Sequence, residues 1–223
     1  MIKKLLRKYR TWKLAKSQYK EVFKEGTLLN AFYKSKTIFI HIPKTAGVSL
    51  LKAIYGDVTL SGHRNFHFNR IALNIKNEKY FSFAFVRNPW DRLYSAYKFL
   101  EKGGINIHDK NAYEMYLSQY KNFEDFVING LDQKIIYEIT HFTPQSEFIC
   151  NNKGGVLVDY LGKFESLNQD IITLSKELKT EVIIGHHNSN SKQDYTNVYT
   201  DRMIAKVQDI YKKDIDIFNY DFK

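Results

Sequence analysis

The sequence has one cysteine, Cys150, so it can build neither an internal disulfide framework nor a zinc site of the usual multi-cysteine kind. A reducing cytoplasm is the simplest compartment for such a chain. It also lacks any run of about 18 apolar residues. Lys, Arg and Gln interrupt every hydrophobic stretch near the amino terminus, so neither a membrane span nor a signal peptide is expected. No Pro/Gly/Ser-rich stretch divides the chain, and no internal repeat or low-complexity tract is present. These absences predict one domain over residues 31–223, preceded by a helical segment over residues 1–30. Acidic residues are the scarcer charge, 24 against 34 Lys and Arg, which leaves a net charge of +10. That balance favours anionic partners (nucleic acid, lipid head groups, phosphate cofactors or acidic glycans) without choosing among them.

What is present is an ordinary folded composition, 43% hydrophobic and 26% charged. Leu5, Leu6, Tyr9, Trp12, Tyr19, Val22 and Phe23 recur at roughly helical spacing, with Lys3, Lys4, Arg7, Lys8, Lys13, Lys16 and Lys20 between them. The predicted helix either rests on an anionic membrane surface or packs on the domain with a solvated basic face. Beyond it, residues 37–42 (TIFIHI) and 81–86 (FSFAFV) read as short buried strands, each followed by a polar turn and a helix, over 47–55 and 90–100. Residues 62–68 read as a loop leading into a helix that runs to about Asn77. The region up to Lys121 reads as a loop or small helix. Residues 156–164 should hold one or two strands, 168–178 a helix, 181–185 (EVIIG) a further strand, and 200–218 a terminal helix. Strands alternating with helices indicate the α/β class with a parallel sheet covered on both faces.

Two of these strand–turn–helix units carry chemistry. In IFIHIPKTAGVSLL, a buried strand runs through Pro43 into a basic, hydroxyl-rich turn. The following helix start offers unpaired N–H groups and partial positive charge to an anion. Lys44 adds a full charge, Thr45 and Ser49 add hydroxyl donors, and Ala46 and Gly47 keep the loop small enough for phosphate oxygens to approach. The loop is not a standard P-loop, because GxxxxGK[ST] is absent and Lys44 precedes the glycine. In FAFVRNPWDRLYSAYKFL, Arg87 leaves a strand end and can hold a phosphate through two parallel N–H bonds, with Ser95 as a further donor. Arg92 either joins them or pairs with an acid such as Asp91 to brace the turn.

Together the two segments resemble the donor site of PAPS-dependent sulfotransferases (PAPS is 3′-phosphoadenosine 5′-phosphosulfate), closest to the carbohydrate sulfotransferases. PKTAGVS is similar to the 5′-phosphosulfate loop and RNPWDRLYS to the 3′-phosphate motif. Weaker similarity continues through Gly62-His63, HFTPQ (141–145), GKFESL (162–167) and YKKDIDIFNYDF (211–222), so it spans most of the chain from Thr37 onward. The resemblance implies a three-layer α/β/α fold with a central parallel sheet, like that of nucleotide kinases, a PAPS donor leaving PAP, and no required metal. Carried over, Pro43, Lys44, Thr45, Ala46, Gly47, Val48 and Ser49 enclose the 5′-phosphosulfate, while Arg87 and Ser95, with Arg92 beside them, face the 3′-phosphate. Val48 stands where Thr is commoner, which removes one donor.

In-line transfer needs charge stabilisation at the departing phosphate, which Lys44 supplies, and a base for the acceptor hydroxyl. Histidine suits neutral pH. His63, in a Gly-His pair like the catalytic-base motif of the carbohydrate enzymes, is the first choice and His67 the second. His41 reads as a satisfied strand histidine. His141 either lines the acceptor cleft or fixes the turn before Pro144. His186 and His187 are adjacent on an extended chain and point to opposite faces, so no metal pair is expected. Lys163, Glu165 and Ser166 are secondary candidates for the nucleotide or the cleft.

The resemblance implies a carbohydrate or glycolipid acceptor. The basic amino-terminal helix suggests peripheral contact with the inner face of the membrane. Two rival readings remain open at this level. An ATP-dependent kinase should show a GK[ST] loop and a strand-end carboxylate for magnesium, and Val86 is followed by Arg87 instead. A nucleic-acid-binding module would suit the charge, but no helix-turn-helix, RRM or zinc pattern is recognisable and no nucleic-acid partner is expected.

Overall fold

The computed structural model describes residues 2–59, 62–76, 78–184 and 195–223. Strands β1 (Thr37–Ile40) and β2 (Phe81–Val86) are unbroken apolar runs, apart from Thr37 and Ser82, and nearly all of their residues are buried. Such runs suit parallel strands covered on both faces, where no solvent side demands alternation. The two pair in parallel, in register from Thr37 with Phe81 to Ile40 with Ala84. Strand β3 (Tyr160–Lys163) completes a sheet of order β1-β2-β3. Asp159 fixes where β3 begins. Its carboxylate accepts from the N–H of Ser82 at 2.8 Å and its hydroxyl at 2.7 Å, and its own N–H donates to the Ser82 carbonyl at 2.8 Å. Gly162 is required within β3, since a Cβ there would come 2.4 Å from the Phe85 ring.

The predicted amino-terminal helix is α1 (Ile2–Ser17), continued by a tighter 3₁₀ segment over Gln18–Phe23. It is followed by α2 (Leu28–Ser35), α3 (Gly47–Tyr55) and α4 (Phe66–Ala72). Thr27 and Asn65 start α2 and α4 by accepting from the N–H of Asn30 (3.2 Å) and of Phe68 (2.9 Å). Helix α4 packs against α1 and stops well short of Asn77, because Asn74 takes a left-handed conformation (φ 53°) and turns the chain.

Helix α5 (Pro89–Glu101) opens with Pro at its first position and the Asn88 side chain accepting from the Trp90 N–H at 3.1 Å. Helix α6 (Ile107–Tyr116) and the short turns α7 (Phe123–Asp125), α8 (Ile135–Glu138) and α9 (Ser146–Ile149) follow. Helix α10 (Leu167–Leu178) packs on β3. The terminal helix predicted over 200–218 is two, α11 (Asp201–Ile210) and α12 (Lys212–Phe218). They break at Tyr211, whose buried hydroxyl donates to the Phe142 carbonyl at 2.7 Å.

The expected 181–185 strand does not form over 181–184. Val182 is buried and its N–H bonds the Ser175 hydroxyl, while Ile183 is 70% exposed. Gly185, His186 and His187 lie outside the described residues.

The fold is therefore of the α/β class with a parallel sheet, as the sequence indicates. The chain forms two compact units. Residues 1–42, 46–85 and 148–185 make one, built on the sheet. Residues 43–45, 86–147 and 186–223 make the other, whose core is dominated by aromatic side chains, among them Trp90, Tyr97, Phe123, Phe126, Phe142, Tyr199 and Tyr211.

Candidate active site

From β1 the chain passes His41 and Ile42 into the loop that runs to Ser49. Lys44 (φ 70°) and Ala46 (φ 61°) are both left-handed without being glycine, a conformation uncommon enough to mark a shaped turn. Left-handed residues in a turn help to gather N–H groups into an anion-binding concavity. Ala46 stands at the N-cap of α3 and offers no side-chain acceptor to the first N–H groups of that helix. Pro43 and Thr45 are buried, Ser49 is partly exposed, and Val48 is 56% exposed. Gly47, expected from sequence to give a phosphate room, is constrained by a protein group: a Cβ there would lie 1.9 Å from the His41 imidazole.

His41 is therefore packed rather than catalytic in appearance, stacked on Phe39 and 4.3 Å, centroid to centroid, from His63. His63 follows the left-handed Gly62 (φ 75°) and sets Nδ1 3.1 Å from the His41 carbonyl oxygen. A carbonyl only accepts, so Nδ1 carries the proton in that bond. His67 is exposed on α4 and packs edge-on against Phe66.

In the second unit Arg87 is the hub. Its Nε and Nη2 donate to the two carboxylate oxygens of Asp91, both at 2.7 Å, and Nη1 donates to the Lys44 carbonyl (3.1 Å) and the Ser95 hydroxyl (3.2 Å). The Nε–Nη2 fork expected to meet a phosphate is thus engaged by Asp91, in the first turn of α5. Gln145 holds the backbone of Arg87, accepting from its N–H at 2.9 Å and donating to its carbonyl at 2.8 Å. Arg92 is placed differently. It is 1% exposed and donates to the carbonyls of His141 (3.1 Å), Phe142 (3.4 Å) and Thr143 (2.9 Å), so it braces the HFTPQ segment, and Asp91 belongs to Arg87.

The Lys44 ammonium rests 4.1 Å from the centre of the Phe99 ring. Burial, and then the nearby Arg87 cation, lower its pKa to about 8, with Asp109 acting the other way. Phe99 packs edge-on against His141, whose Nε2 lies 2.9 Å from Asp109 Oδ1. Among the secondary candidates, the Lys163 N–H and the Ser166 hydroxyl both donate to Asp170, and Glu165 is exposed. Sequence reasoning offered Asp91 to Arg92 instead of Arg87, and it gave no role to Asp109 or to Gln145 within HFTPQ. The i, i+4 spacing of Arg87 and Asp91 was the available signal for the first.

Residues 31–221 match the model of the sulfotransferase family. The chain belongs to the sulfotransferase family. Sulfuryl transfer is accordingly its general activity. This sulfotransferase is 31% identical over 99 residues to an uncharacterised protein of Archaeoglobus fulgidus, a stretch covering 44% of this chain and 68% of the relative. No solved structure matches it.

Proposed function

We propose that this sulfotransferase moves a sulfuryl group from PAPS to a hydroxyl of a carbohydrate acceptor, with His63 as base. The observation that carries the reading is the pairing of two cationic residues by the Arg87 bond to the Lys44 carbonyl. Burial and the Arg87 cation both make the Lys44 ammonium costly, a cost that a bound anionic nucleotide would relieve.

PAPS, when bound, supplies the activated sulfuryl group and a phosphate leaving group. The loop from Pro43 to Ser49 holds the 5′ end through the backbone N–H groups that follow Pro43 and through the Lys44 ammonium. Arg87 and Ser95 take the 3′-phosphate, and Arg92 is assigned to bracing. Lys44 meets the charge that develops on the departing oxygen. Nε2 of His63 receives the acceptor's hydroxyl proton as that oxygen bonds to sulfur. The carbohydrate acceptor rests on the likeness of RNPWDRLYS and the Gly-His pair to the carbohydrate enzymes.

Calorimetric titration with PAP tests the donor, with ATP and ADP plus magnesium as controls. Metal-independent PAP binding that is lost in Arg87→Ala is the expected result. Preference for ATP, or no nucleotide binding by folded protein, overturns the assignment.

A membrane-facing role for the amino-terminal segment belongs to the same proposal. Tyr9, Trp12, Tyr19 and Phe23 are exposed, while Ala15 and Val22 face inward. Exposed aromatic rings interleaved with lysines suit an anionic lipid surface at the inner face of the membrane. No described helix is long and apolar enough to cross a bilayer. The full chain should float with vesicles containing anionic lipid and do so less with Trp12→Ala/Phe23→Ala. Equal behaviour with neutral vesicles, or no flotation, removes this part.

A further inference from the structure

Lys44, Phe99, His141 and Asp109 form a continuous series inside the second unit. The ammonium lies 4.1 Å from the Phe99 ring centre, Phe99 and His141 pack ring to ring at 5.0 Å, and His141 bonds Asp109 at 2.9 Å. Asp109 is built into its place. It is 8% exposed, and Oδ2 accepts from the Ile105 N–H (3.1 Å) and the Asn106 amide (2.8 Å), which leaves Oδ1 for the imidazole. Gly104 takes a left-handed turn (φ 65°) directly against it, where a Cβ would come 2.1 Å from Asp109 Cβ. His141 is fixed from its other side, since its carbonyl accepts from Arg92. A buried carboxylate with each oxygen engaged is expensive, and an unrelated packing role would be met more cheaply by an apolar pair.

We propose that Asp109 and His141 are positioning residues for Lys44, with Phe99 as the surface on which the ammonium rests. The inference deepens the sulfuryl-transfer reading above and rests on it for the task given to Lys44. The electrostatics agree with the geometry. Arg87, at the end of β2, works to remove the proton from Lys44, and Asp109, on α6, works to retain it. His141 lies between them in effect: burial lowers its pKa, so it stays neutral near pH 7 and leaves the Asp109 charge uncompensated. Asp91 is committed to Arg87, which makes Asp109 the acid that opposes the Arg87 cation at Lys44. The pair thus sets both where the ammonium sits and the pH up to which it is an ammonium.

The test is the titration of the Lys44 side chain, read by NMR in lysine-labelled full-length protein without donor, in wild type, Asp109→Asn and Phe99→Leu. Asp109→Asn should lower the midpoint by roughly one pH unit, and the alkaline limb of kcat/KM should move down with it. Phe99→Leu should shift the midpoint in the same direction, because an aromatic face favours the cation. It also carries the test if Asp109→Asn does not fold, since Phe99 is only partly buried. An unmoved midpoint in a folded variant overturns the proposal and assigns the pair to packing. Because this titration needs no donor, failure of wild type to bind PAP would remove the PAPS reading while a shifted midpoint still upheld the link between Asp109 and Lys44.

Discussion

Replacing Lys44 with alanine is expected to lower turnover about 10²–10³-fold, the usual cost of losing one preorganised group at a developing oxyanion. The pH dependence makes the expectation specific. In the proposed role Lys44 serves only as an ammonium, and its pKa is lowered to about 8 by burial and by Arg87. The value of kcat/KM, which reports ionisations of the free enzyme, should therefore fall above about pH 8. Lys44→Arg keeps the charge at all accessible pH and should push that falling limb out of range, even if its bulkier head costs rate. If the limb stays where it was in Lys44→Arg, the titrating group is another residue and Lys44 loses its assigned part.

The second large effect concerns His63. Its removal as alanine should cost about 10²–10⁴ in turnover, the range typical of a positioned general base. PAP affinity should be nearly intact, because the proposed donor contacts involve other residues. This split between turnover and donor affinity separates a base from a residue that merely shapes the loop. His67→Ala is the companion measurement. Wild-type turnover in His63→Ala together with a large loss in His67→Ala would transfer the role to His67.

The parts of the fold that were legible in the sequence are those written in contiguous residues. TIFIHI and FSFAFV announce buried strands because strands covered on both faces need no alternation; the second formed as expected and the first over Thr37–Ile40, short of His41 and Ile42. Asn88-Pro89 likewise announces the start of α5. The apolar run at 181–184 looks the same locally, but a strand also needs a neighbour, and neighbours are supplied by distant chain. The same limit applies to the site. The phosphate-binding part proposed for Lys44 and Arg87 is read from their turns, whereas Asp109 and His141 meet across 32 residues and leave no local trace. Arg92 is the instructive opposite case. Its helix position beside Asp91 invites pairing, yet adjacent residues on a helix diverge, and the three carbonyls that take its donors come from 49 to 51 residues away.

Gln145 gives the arginine motif a dependence on assembly order. Its side-chain amide bonds the backbone of Arg87 from 58 residues away, and its own N–H is held by the buried Asp214, a further 69 residues along, on α12. Closing such long loops is slow and comes late relative to local structure. During synthesis both phosphate-side motifs leave the ribosome well before Asp214 does, so the nascent chain carries them without the support that fixes Arg87. A protein cut just before α12 would retain every residue of both motifs and still lack the anchor of its arginine, which makes α12 a checkpoint for the geometry of Arg87.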